Sequence, residues 1–93
     1  MEKVIYKYEF RNEYKDNFAT EIPAEAQIVK YGMQGNQFYL WAIVDNTEEE
    51  DIKEKYFRVL IIPTGYVIPE GCKYLDTVFN TDKSLVFHIL EEE

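Results

Sequence analysis

The chain has 93 residues, with 18 Asp plus Glu against 10 Lys plus Arg and a net charge of −8. That length holds one domain over residues 1–93 and excludes a two-domain enzyme, while the charge disfavours direct nucleic-acid binding unless the few cations are gathered on one face. Hydrophobic residues at 46% and aromatics at 16% exclude a disordered acidic tail and predict a core built on tyrosine and phenylalanine.

In chain order, residues 3–10 alternate, with Val4, Tyr6, Tyr8 and Phe10 apolar and Lys7 and Glu9 charged, which predicts a half-buried strand. Residues 11–17 are mostly polar and Ile22-Pro23 imposes an extended step, so 11–25 reads as a loop. Residues 26–31 form a second strand, and Gly32-Met33-Gln34-Gly35-Asn36 supplies the positive backbone angles that turn the chain back over 37–45. Thr47 with Glu50 has capping-box spacing, and Glu49/Lys53 and Asp51/Lys55 are favourable i,i+4 pairs, so one helical turn fits before the next strand. That strand, 53–62, is dense in β-branched and aromatic residues and stops at Pro63. Thr64-Gly65 and Pro69-Glu70-Gly71 mark a loop, and 74–80 with 85–90 make a last hairpin about Thr81-Asp82-Lys83. The expected fold is all-β and mainly antiparallel: a small single-domain sandwich or barrel of about six strands, with at most one short helix.

The longest apolar run, Phe38 to Val44, is too short for a membrane helix, and the start of the chain enters a strand pattern directly. The expectation is a protein with no signal peptide and no membrane partner. Cys72 is the single cysteine and has no internal disulfide partner, which fits a reducing cytoplasm.

The feature that bears most on function is a surplus of apolar side chains. Phe38, Leu40, Ala42 and Val44 are apolar, but so are Tyr39, Trp41 and Ile43 between them, and the same doubling occurs over 57–62 and 85–90. A strand in a one-core domain hides one face, so Tyr39, Trp41 and Ile43 require a cover: the 11–25 loop, a second copy in a homo-oligomer, or a foreign protein. Together with the acidic run Glu48, Glu49, Glu50 and Asp51, which suits a basic partner, they are the candidate partner-binding residues.

Catalytic chemistry finds little support. His88 and Cys72 are each the sole residue of their type, and His88 lies inside an apolar strand pattern with no orienting third residue in view. One His with one Cys gives no zinc spacing, and the Glu48–Asp51 run lacks the spaced ligands and central glycine of a calcium loop. No phosphate-cradling or nucleophile-elbow motif occurs. The expectation is a non-enzymatic protein with no catalytic residues, no metal and no cofactor.

Five words then appear in order: Ile5-Tyr6-Lys7-Tyr8-Glu9-Phe10, Pro23-Ala24-Glu25-Ala26 with Ile28, Leu40-Trp41-Ala42-Ile43-Val44-Asp45, Thr64-Gly65, and Val86-Phe87-His88-Ile89-Leu90-Glu91. Together they resemble a family of short phage and prophage proteins of unassigned function, in which IYKYEL-like, P-x-G-A, LWALVD-like, GTG-like and VWHVFE-like words recur. The chain departs from that pattern at Glu25, at Phe87 and at Pro63-Thr64-Gly65. The resemblance implies a setting, the cytoplasm of an infected or lysogenic bacterium, and carries over no catalytic motif. Within that setting the first expectation is an accessory protein that binds and blocks a host factor, a host-defence inhibitor of the anti-CRISPR kind. The alternatives are an oligomeric sponge for a nucleotide signal, with Tyr56 stacking the base and Arg58 or Lys30 holding phosphate, and a minor virion or assembly component.

Overall fold

In the computed structural model, which describes residues 2–46 and 52–93, the chain is all-β, with no helix among the described residues. The strands are β1 (Lys3–Tyr14), β2 (Asn17–Pro23), β3 (Gln27–Gln34), β4 (Gln37–Asp45), β5 (Glu54–Pro63), β6 (Cys72–Phe79) and β7 (Val86–Glu92). They form one antiparallel sheet in the order β3-β4-β1-β2-β5-β7-β6, curled until the edge strands β3 and β6 meet, so the barrel is nearly closed. The helical turn expected before β5 lies outside the described residues.

The barrel has seven strands where about six are expected, and the difference lies in residues 11–25. These are not a loop. β1 runs on to Tyr14, turns through Lys15 at φ 50°, and returns as β2. Asn12 Nδ2 donates to the Lys15 carbonyl at 2.8 Å and Asn17 Nδ2 to the Tyr14 carbonyl at 3.1 Å, so the asparagines that look like breakers are the ties of a tight hairpin. Phe18, Thr20 and Ile22 then alternate inward. With 11–25 built into the sheet, that segment is no cover for Tyr39, Trp41 and Ile43.

β1 serves both halves of the sheet. Lys3 to Phe10 pair with β4, and Arg11 to Tyr14 pair with β2 across a bulge at Glu13. The core fills the space inside the curl, with Phe10, Ile22, Leu40 and Ile89 fully buried and Phe38, Phe57, Val59, Ile61 and Val78 around them. Phe38 meets Phe18 and Phe87 edge-on, at 5.3 and 5.1 Å between ring centroids, the geometry that aligns ring edges with ring faces. Burying a side chain of this size stabilises the fold by roughly 1.5–3 kcal/mol. Tyr6 shares the inward parity of Val4, Tyr8 and Phe10 but is 51% exposed.

The doubled apolar pattern of β5 and β7 also has a structural answer. Leu60, Ile62 and Leu90 pack with Cys72 on the outer surface as a second, smaller cluster. The thiol is part of that packing, and its strand position opposite Glu92 lies four residues of β7 away from His88. At about 3.3 Å per residue that is about 13 Å, too far for a thiolate–imidazole pair.

Candidate functional site: the outer face of β3, β4 and β1

Register decides what lies beside what on the outer face. Trp41 of β4 is opposite Lys7 of β1 on one side and Lys30 of β3 on the other; the next rung is Gly32–Tyr39–Glu9, and the rung before is Gln27–Ile43–Ile5. A bulge at Val29 shifts β3 by one residue, which brings Lys30 rather than Val29 opposite Trp41. Tyr39, Trp41 and Ile43 therefore share one face, half-buried, with Ile5 at 61% and Val29 at 47% exposure beside them.

Trp41 lies across the sheet toward Gly32. A Cβ at position 32 would come within 2.9 Å of its Cζ3 and 3.3 Å of its Cη2, so the missing side chain leaves the seat on which the indole rests. Tyr39 is the neighbouring ring, 6.3 Å away and tilted by 47°. Lys7 Nζ stands 4.5 Å from the Tyr39 ring centroid and donates to Gln34 Oε1 at 2.9 Å, and Lys3 pairs with Asp45 at 2.8 Å. The outer row thus carries three lysines, Lys3, Lys7 and Lys30, against two carboxylates, Glu9 and Asp45. A chain of net charge −8 has gathered a locally basic rim around its exposed aromatics.

The other candidate residues fall elsewhere. Glu48, Glu49, Glu50 and Asp51 lie outside the described residues. Tyr56 and Arg58 lie together on the outer face of β5, where the Tyr56 hydroxyl donates to Glu13 and Arg58 Nε is 3.6 Å from the same carboxylate. Three strands lie between the β3 of Lys30 and β5 in the sheet, so Lys30 does not join Tyr56 and Arg58 in one phosphate site, and the Arg58 charge is already answered by Glu13. Ile5, Lys7, Gly32 and Val29 escape a reading by residue type. The signal for Ile5 is its odd position in a strand whose apolar set is even, and the bulge that re-aims β3 leaves no trace in the sequence.

His88 is held on the outer face of the opposite half. Thr64 Oγ1 is 2.8 Å from Nε2 and Thr77 Oγ1 is 2.9 Å from Nδ1, and the Thr77 hydroxyl in turn is 2.6 Å from the Tyr74 hydroxyl. Both ring nitrogens are engaged in holding β7 to its neighbours, the arrangement of a hydrogen-bonded strand histidine.

Fold and face together define a small antiparallel β barrel that presents a lysine-rimmed aromatic surface on its outside. Over residues 1–93 the chain matches the model of DUF7352, a domain of unknown function, and it belongs to that family. Searches of the curated proteins and of the solved structures found no match.

Proposed function

We propose that this is a non-enzymatic phage or prophage accessory protein that binds and blocks a host factor, in the manner of a host-defence inhibitor, and that it docks through the outer face of β3, β4 and β1. The observation that carries the docking site is the row Tyr39, Trp41 and Ile43, left half-buried with Ile5 and Val29 exposed beside it. Trp and Tyr dominate interface energetics because they bury large areas with few rotors. Three strands about 4.8 Å apart and about 30 Å long offer roughly 400 Å², about half of one side of a standard interface, so the rim has to take part. With Lys3, Lys7 and Lys30 on that rim, the partner surface that fits is an apolar knob ringed by carboxylates. The phage setting comes from the sequence resemblance.

The test uses Ile5→Lys combined with Val29→Lys, both at exposed positions that leave the core untouched. The protein and its double variant are immobilised and exposed to bacterial lysate, and any captured protein is purified and titrated against each. The expected outcome is an unchanged unfolding midpoint with at least about tenfold weaker binding by the variant. Equal binding by the two, or a solution mass showing that a second copy of the chain already occupies the face, overturns the proposal.

A further inference from the structure

β5 is longer than the neighbour that covers it. It pairs with β2 from Glu54 to Leu60, but with β7 only from Leu60 to Pro63. The Ile61 N–H donates to the Asp16 carbonyl at 2.9 Å and the Lys53 carbonyl accepts from the Ala24 N–H at 2.8 Å, so the odd-numbered peptide groups of β5 face β2. The even-numbered ones face the other way. Leu60 and Ile62 meet Leu90 and His88 there, whereas Tyr56 and Arg58 have no ladder partner on that side among the described residues. The next rung would join Arg58 to Glu92, but β7 follows β6 instead, with Glu92 opposite Cys72 and the Glu93 N–H donating to the Gly71 carbonyl at 2.9 Å. The two strands fork, and the fork holds a groove of about 280 Å³ lined by Asn17, Tyr56, Arg58, Leu60, Glu91 and Glu92 among others.

We propose that this fork is a second binding site, independent of the aromatic face, which takes an extended basic peptide as a strand added to β5. An unpaired strand edge offers backbone donors and acceptors at the spacing of another strand, and the alternating side chains of the added segment supply selectivity. The sign of the charge follows from what lines the opening. Glu91 has the inward parity of Phe87 and Ile89, and Glu92 faces outward. Among the described residues that line the groove the one cation, Arg58, is engaged by Glu13. An incoming strand therefore meets carboxylates with both of its faces. The Glu91 charge is also felt across the barrel interior, where the Tyr31 pKa is pushed up to about 12 by burial first and by Glu91 and Asp76 after it.

The test reads amide hydrogen exchange on the full chain by NMR, with a probe peptide of alternating lysine and valine about eight residues long. In the free monomer the Tyr56 and Arg58 amides exchange fast while Leu60 and Ile62 are protected. The peptide is expected to slow Tyr56 and Arg58 at least about tenfold and to leave the other two unchanged. A glutamate–valine analogue, and a lysine–valine peptide N-methylated on alternate amides, are expected to do neither. Glu91→Gln with Glu92→Gln is expected to weaken the peptide about tenfold with the free-state exchange unaltered. The proposal is overturned if Tyr56 and Arg58 are already protected in the free monomer, if the lysine–valine peptide leaves them fast, or if acidic and basic peptides protect alike. Protection that grows with protein concentration and a doubled mass assigns the edge to a second copy of the chain and overturns it equally.

Discussion

Raising the pH through the phenol range separates Tyr31 from the other tyrosines. Its half-buried ring stacks on Phe10 at 6.4 Å and 16°, and burial, then Glu91, then Asp76 push its pKa up to about 12 from an ordinary 10.0. Below pH ~10 the hydroxyl is protonated in the folded and the unfolded chain alike, so it adds no pH dependence there. Above it the unfolded chain releases a proton that the folded chain keeps, and stability falls by up to ~1.4 kcal/mol per pH unit until the folded pKa is reached. Over that interval the limit is ~2.7 kcal/mol, and solvent screening of a half-exposed ring brings the expected loss to ~1–2 kcal/mol. Tyr31→Phe removes this contribution. Urea unfolding followed by Trp41 fluorescence at pH ~9 and ~12 should show the wild type losing ~1–2 kcal/mol more than the variant between the two conditions. Phenolate absorbance should lose its last-titrating component in the variant. Parallel losses of stability, or a Tyr31 that titrates with the exposed tyrosines, would refute the reasoning.

Three further outcomes follow from packing and charge. Leu40→Ala empties a fully buried position at the centre of β4 and should cost ~2–5 kcal/mol in urea unfolding, because the facing strands cannot collapse into the void. Gly32→Ala should lift the far edge of the Trp41 indole, read as a shifted emission maximum, with a stability change below ~1 kcal/mol because the ring end can move; Gly32→Val should displace the ring further and weaken whatever binds the aromatic face. Glu13→Gln removes the carboxylate shared by Tyr56 and Arg58, and since that pair is exposed and 3.6 Å apart, thermal unfolding should shift by less than ~1 kcal/mol.

The alternating pattern was legible where one side chain in two is apolar, as over residues 3–10 of β1, because period two is imposed by the pleat itself. The hairpin at Gly35, with φ 59°, was legible for the same kind of reason: few residues adopt that angle without strain. The β1–β2 hairpin was not, since Arg11 to Tyr14 expose polar side chains on a strand held by backbone pairing, and the Lys15 turn uses a residue that carries no turn signature. Tyr39, Trp41 and Ile43 were identifiable as a surplus face from the doubled pattern alone. The lysines that flank them depend on cross-strand register and on the Val29 bulge, and the open edge of β5 depends on where β7 parts from it; both are set by tertiary pairing that no local word encodes.

β1 is the axle of the molecule. Its first eight residues hold the β3-β4 flap and its last four hold the slab of β2, β5, β7 and β6, while β3 and β6 meet without a ladder between them. Any rocking of flap against slab is taken up at the Phe10–Arg11 step and opens along that unlaced seam. An occupant of the aromatic face grips the flap and an occupant of the fork grips the slab, so the two feel one another through the peptide units around Phe10 and through the core rings that flap and slab share, Phe38 against Phe18 and Phe87.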